Sequence, residues 1–279
     1  MSDKLSLDYS QFFKGLNINK GDIIDVASDV ASIMMFSKKQ GYRFKPDLLI
    51  DALKELVGPE GTVMIRTFNW DFCHGSDFDI RNTPSRVGAF GNVAMKRTEF
   101  RRTKHPVYSW MVWGRYAEEL VNMDNVCAYG YGSPFDFLYK MNGKQLTIGN
   151  TAADACTQMH HCEVIANVPY RAEKSFTGKY IDEFGNATTK TYSIYVRPLD
   201  VQVTNTLTDR DERGQRLIDE KIMEIGGISD ELKSTMIKLH EITDFFVDDI
   251  NENEGKFIVY VNNHPGYIEA GVDYSKVKY

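Results

Sequence analysis

Apolar and polar positions change period several times along the chain, and each change marks an element. Asp22-Ile-Ile-Asp-Val26, after the Lys20-Gly21 turn, predicts a short buried strand. Pro46 then opens a helix with Leu48, Leu49, Ala52, Leu53, Leu56 and Val57 on one face, which Gly58-Pro59 stops. Residues 62–68 predict a second strand, so strand, helix and strand follow one another in the manner of a parallel βαβ unit. Residues 69–92 are dense in Asn, Asp, Gly, Ser and Pro, and loops that long inside compact domains are usually functional. Lys144–Ile148 reads as another strand, ending at Gly149-Asn150. A helix beginning near Thr157 follows it, with Met159, Val164, Ile165 and Val168 as apolar positions and Thr157 as its cap. Farther on, 190–196 and 201–206 read as strands and 212–225 and 230–250 as helices. The second of these helices places Leu232, Met236, Leu239, Thr243 and Phe246 on one stripe, and 256–261 predicts a final strand. No repeat or linker interrupts the sequence, which predicts one domain over 1–279 with a β-rich C-terminal elaboration.

Composition changes this picture little. The 279 residues are 42% hydrophobic and 26% charged, enough for a sizeable core. A net charge of −6 argues against general nucleic-acid binding. Apolar runs such as Ile33-Met34-Met35-Phe36 are too short to span a bilayer, and the N-terminal MSDKLSLDYSQFFKG lacks the features of a signal peptide. A cytoplasmic chain without membrane or nucleic-acid partners is therefore expected. Cys73, Cys127, Cys156 and Cys162 form no CxxC pair and read as reduced thiols.

The chemistry concentrates at Thr157-x-x-His160-x-x-Glu163. Residues three apart on a helix are neighbours, so His160 lies beside both a hydroxyl and a carboxylate. A carboxylate raises the pKa of an adjacent imidazole and fixes its tautomer, which suits a general base near neutral pH. The bland alternative is a core histidine with a satisfied hydrogen bond. His161 also reaches Thr157 at i+4, but it is two residues from Glu163 and on a different face. A zinc hydrolase using both histidines is a rival reading, yet helical zinc motifs space their histidines at i and i+4, so no metal is expected. Cys156 and Cys162 flank the motif, and a catalytic thiol competes there with ordinary buried cysteines.

A second group is Thr83-Pro-Ser-Arg-Val-Gly88, followed by Lys96, Arg97, Arg101, Arg102 and Lys104. It suits either the phosphates of a nucleotide-like cofactor or a solvated face; a non-catalytic nucleotide-binding or scaffolding protein would keep the basic run without needing the His160–Glu163 pair. His105-Pro106-Val-Tyr-Ser109 and Gly130-Tyr-Gly132-Ser-Pro134 read individually as turn chemistry.

Taken in order with Gly21-Asp22, Ser28, Ile148-Gly149 and the looser Tyr170-Arg171-x-x-Lys174-x-Phe-x-Gly178, these blocks make the chain resemble the aminoglycoside 3-N-acetyltransferase (antibiotic N-acetyltransferase) family, including its members that act on nucleotide-linked amino sugars. The resemblance implies a three-layer α/β/α sandwich around a mixed, mainly parallel sheet, distinct from the commoner GNAT acetyltransferases. It implies acetyl-CoA as donor, a primary amine on a sugar as acceptor, and direct transfer without an acyl-enzyme; it leaves a homo-oligomer open. Carried onto this chain, His160 is the base, Glu163 orients and polarises it, and Thr157 supports the thioester or its oxyanion. Ser28, Ser85, Arg86, Val87, Gly88, His105 and Ser109 are the expected coenzyme A contacts, and Asn69, Trp70, Asp71 and Tyr170 the expected sugar contacts. The chain departs from many drug-modifying members in having Ala27-Ser28-Asp29 where they carry His-Ser-Ser. The expected acceptor is a nucleotide-linked deoxyamino sugar for surface polysaccharide, because the 69–82 loop offers Trp70, Phe72 and Phe78 beside Asp71, Asp77 and Asp79. The alternative is an aminoglycoside, a polycation that calls for acidic surroundings; the acidic 244–254 stretch supplies them if it folds toward the cleft.

Overall fold

The computed structural model describes residues 7–150, 152–196, 202–205, 212–253 and 259–262. Along the chain come β1 (Ile23–Ser28), α1 (Val30–Lys39), α2 (Pro46–Val57), β2 (Thr62–Arg66), β3 (Phe78–Asp79), α3 (Ala89–Ala94), β4 (Arg101–Arg102) and β5 (Trp110–Gly114). Next are α4 (Ala117–Asn122), α5 (Pro134–Lys140), β6 (Lys144–Ile148), α6 (Ala152–Ala155), α7 (Met159–Ile165), β7 (Ala172–Ile181) and β8 (Ala187–Val196). The last are β9 (Gln202–Asn205), α8 (Glu212–Asp219), β10 (Met223–Ser229), β11 (Leu232–Lys238), α9 (Leu239–Asn253) and β12 (Val259–Asn262).

The main sheet has the order β10-β11-β6-β1-β2-β5-β4. Side chains alternate faces along each strand. In β1, Ile24 and Val26 join one core with α1, α2 and α3, whereas Ile23 joins the opposite core with α5, α7 and α9. In β2, Val63 and Ile65 face the first core and Met64 the second. Helices thus cover both faces of a mixed sheet, as expected. Parallel pairing is confined to β6-β1-β2; the four outer pairings are antiparallel, so "mainly parallel" holds only for the centre. On α2, Pro46 occupies the first turn and Leu49, Ile50, Leu53 and Val57 are fully buried, each stabilising the layer by about 1.5–3 kcal/mol.

One expectation about the C-terminal third is corrected. Residues 223–229 and 232–238 are not helical but form the hairpin β10-β11, which extends the sheet antiparallel from the edge of β6. Helix is kept only at α8 and α9. Gly227 explains part of this: its φ of +110° and the register shift beside it mark a bulge that a helix cannot hold. β7, an element the sequence pattern did not mark, pairs with β8 over ten residues each and, with β3, makes a smaller sheet. Phe72, Phe78, Ile80, Tyr180 and Tyr192 form a separate cluster at that sheet. Among the described residues no helix is long and apolar enough to cross a membrane.

Candidate active site

A cavity of about 280 Å³ opens beyond the carboxyl ends of β1 and β2, the usual position for a ligand site in an α/β sheet. Ser28, Arg66, Trp70, Tyr108, Thr157 and His160 are among the residues of its wall. β1 delivers Ser28 and then stops, because Asp29 caps α1 by accepting the N–H groups of Ala31 and Ser32. α7 delivers His160: its Met159 and Cys162 are fully buried, which leaves the imidazole on the cavity side with 22% of its side chain exposed.

His160 Nδ1 lies 2.8 Å from Glu163 Oε2. Glu163 has no exposed side-chain surface and forms an ion pair with Arg171 at 2.5 Å. Burial by itself would raise the Glu163 pKa, but the adjacent Arg171 charge and the His160 contact outweigh it and hold the carboxyl below its ordinary 4.5. An ionised carboxylate can only accept a hydrogen bond, so Nδ1 keeps its proton and donates it, which places the lone pair of neutral His160 on Nε2. His161 turns away, with Nδ1 donating to the Tyr129 carbonyl at 2.7 Å, and burial lowers its pKa. Geometry therefore selects His160 as the partner of Glu163.

Thr157 does not cap the helix. α7 begins at Met159 after Gln158, and the Thr157 carbonyl accepts the His160 N–H at 3.1 Å. Its hydroxyl instead lies 3.4 Å from Arg66 Nη1. Arg66 itself was missed by the sequence reading. It belongs to a buried row contributed by four neighbouring strands: Asp25 on β1, Arg66 on β2, Trp110 on β5 and Gln145 on β6. Arg66 pairs with Asp25 at 2.5 Å, Trp110 Nε1 donates to Asp25 at 2.8 Å, and Arg66 Nη2 donates to Gln145 Oε1 at 2.9 Å. The available signal was one charge inside each of two apolar strands, Ile-Ile-Asp25-Val and Val-Met-Ile-Arg66.

The other expected contacts divide. Ser28, Val87 and Trp70 reach the cavity wall. Gly88 starts α3 with φ +116°, and Ser85 locks the preceding turn through Asn92 and the Val87 N–H. Arg86 is directed instead to Asp71, 2.8 Å away, on an exposed surface. Asn69 binds the Asp71 N–H and the Pro84 carbonyl, holding its own loop. His105, Ser109 and Tyr170 are buried and are not brought to the cavity wall. His105 accepts two backbone N–H groups at Nδ1 and donates to the Ser193 carbonyl, and burial lowers its pKa to about 4. Ser109 is bonded to Thr67 and Arg102. The basic run lies elsewhere, along a second cavity of about 290 Å³; Arg97 is paired with Asp51 and Glu99, and Arg101 with Glu118. Burial pushes the Cys156 thiol up to about 12 and Cys162 well above its ordinary value, which leaves both un-ionised.

A family model described as aminoglycoside 3-N-acetyltransferase matches residues 31–250. The chain belongs to this family. It is 25% identical over 206 residues to an aminoglycoside N(3)-acetyltransferase III of Salmonella sp, covering 67% of this chain and 69% of that one. It is 26% identical over 132 residues to an aminoglycoside N(3)-acetyltransferase IV of Salmonella sp, covering 46% and 49%. Among solved structures, AAC-VIa bound to sisomicin is similar with a TM-score of 0.71 and 18% identity, over 89% of this chain and 99% of that one. The AAC-IIIb binary complex with CoASH gives 0.68 and 20%, over 94% and 100%. The YokD protein from Bacillus subtilis gives 0.66 and 21%, over 88% and 94%. The fold of this chain is thus that of the aminoglycoside acetyltransferases, and as a family member the chain is an N-acetyltransferase.

Proposed function

We propose that the chain transfers the acetyl group of acetyl-CoA to a primary amine of an aminoglycoside, in the cavity between β1, β2 and α7. The observation that carries this reading is the His160–Glu163 pair, with the imidazole on the cavity wall and its carboxylate ionised in the interior. A protonated amine has no lone pair for attack, so this chemistry needs a base at the reacting nitrogen. The ammonium first releases one proton to solvent; the neutral amine nitrogen then bonds to the thioester carbonyl carbon while His160 Nε2 takes the second proton that must leave it. The Thr157 hydroxyl donates to the carbonyl oxygen as that oxygen becomes negative. The C–S bond then breaks, and the leaving thiolate takes the proton back from the imidazolium, whose charge Glu163 has balanced. Transfer is direct, because the nearby Cys156 and Cys162 thiols are buried and un-ionised.

Support for the donor comes from the CoASH complex of the similar AAC-IIIb and from Ser28, whose hydroxyl has no hydrogen-bond partner among the described residues and lies at the cavity. For the acceptor, the aminoglycoside is better supported than the nucleotide-linked sugar expected from the sequence. The curated relatives are named for aminoglycosides, and a similar structure holds sisomicin. The loop residues behind the other expectation are also largely committed. Phe72 and Phe78 are buried in the small sheet's core, Asp77 is paired with Lys179 and Asp79 with Arg81, and of this set Trp70 alone lines the cavity. The acidic helix α9, with exposed Asp248 and Glu252, packs against α7, and the net charge of −6 attracts a polycation. Acetyl-CoA thiol release, measured with sisomicin, other aminoglycosides and nucleotide-linked amino sugars, tests this. Turnover is expected with the aminoglycosides, and turnover confined to the nucleotide-linked sugars would overturn the acceptor.

A further inference from the structure

We propose that Arg66 is a positioning residue for acetyl transfer: it holds the Thr157 hydroxyl in the one orientation that donates into the cavity. The role rests on the acetyl-transfer reading above and adds to it a residue on a different element, β2. The five N–H donors of the guanidinium are all accounted for. Nε faces Asp25 at 3.0 Å, and Nη2 binds Asp25 Oδ2 and Gln145 Oε1. Nη1 binds the Ala155 carbonyl and the Thr157 hydroxyl, the latter at 3.4 Å.

A guanidinium has only donors. Thr157 Oγ1 therefore accepts from Arg66, and its own proton points elsewhere. The Thr157 side chain lines the cavity, so that proton is available to a thioester oxygen. The Ala155 contact reinforces this by tying the end of α6, just ahead of Thr157, to β2. The 3.4 Å separation is long, and catalytic hydrogen bonds commonly tighten only once substrate is in place.

Sheet stability alone does not call for this arrangement. A buried ion pair is commonly replaceable by apolar side chains of similar volume without loss of stability. Asp25 is moreover already satisfied by Arg66 Nε, Arg66 Nη2 and Trp110, leaving the Nη1 arm to reach across to the catalytic segment. That arm is the part of Arg66 that serves the reaction.

A double-mutant cycle in the thiol-release assay tests the role. Arg66→Lys keeps a cation beside Asp25 but has a single nitrogen and cannot also hold Thr157. It is expected to lower kcat about tenfold, less than the loss of the donor itself, with the KM for acetyl-CoA unchanged. In a Thr157→Ala background the same change is expected to have no further effect. Equal losses in both backgrounds, or no loss in the first, would overturn the role of Arg66. Should circular dichroism show Arg66→Lys to be unfolded, the apolar pair Asp25→Leu with Arg66→Met replaces it in the same cycle, with the same two outcomes. Absence of thiol release from the unmodified chain with every acceptor would instead sink the acetyl-transfer reading, and the role with it.

Discussion

Replacing Glu163 by Gln removes a charge and almost no volume. Both the His160 and Arg171 contacts fall on the same oxygen, Oε2, so a glutamine with its carbonyl oxygen there preserves the geometry and deletes only the charge. Arg171, with 8% of its side chain exposed, then lacks its carboxylate. Two unit charges about 4 Å apart attract by about 4 kcal/mol at the effective dielectric of a protein site. The desolvation cost that the carboxylate bears and the amide does not offsets part of this, leaving a net loss of about 2–3 kcal/mol. The melting temperature should fall by about 5–10 °C. The imidazolium formed during transfer also loses its counter-charge, so kcat should fall about a hundredfold. Thermal unfolding followed by circular dichroism reads the first effect and thiol release the second. Unchanged melting would refute the energetic reasoning, and unchanged turnover would refute the assignment of Glu163 as the group that supports His160.

Thr157→Val, which is isosteric but lacks the hydroxyl, should lower kcat about a hundredfold, whereas Thr157→Ser should keep most activity; equal activity in both would remove Thr157 from the mechanism. Stability should also depend on pH through His105, whose pKa burial lowers from 6.5 to about 4. Because the folded value lies below the unfolded one, the unfolded chain binds the proton first; stability is full above about pH 6.5 and declines as pH falls toward 4, by about 3 kcal/mol at 1.36 kcal/mol per unit. Urea unfolding at pH 7 and pH 4.5 measures this, with His105→Gln expected to flatten the dependence; equal stability of the unmodified chain at the two pH values would contradict it.

The βαβ core and the His160–Glu163 pair were legible because each depends on short-range spacing: apolar runs closed by turns, and two side chains three residues apart. The β10-β11 hairpin was not, and Leu232 and Met236 show why. A separation of four residues is in phase with both the helical period and the strand alternation, so those two joined the α9 residues Leu239, Thr243 and Phe246 into one apparent stripe. Pairing with β6, nearly ninety positions earlier, decides the matter, and no local pattern carries that information. The same limit hid the polar row under the cavity: Asp25, Arg66, Trp110 and Gln145 become neighbours only when their strands pair. His105 and Ser109, expected at the coenzyme A site, hold hydrogen-bonding positions in the interior, which only the folded arrangement of their neighbours reveals.

The proton-transfer role of His160 is the centre of the account, and His160→Gln tests it most directly. Turnover of the variant should be measured at saturating acetyl-CoA and aminoglycoside, with coenzyme A affinity followed by calorimetry. A loss in kcat of about a hundredfold or more with coenzyme A affinity unchanged is the expected result. A variant that binds coenzyme A and acetylates as fast as the unmodified chain would contradict the account.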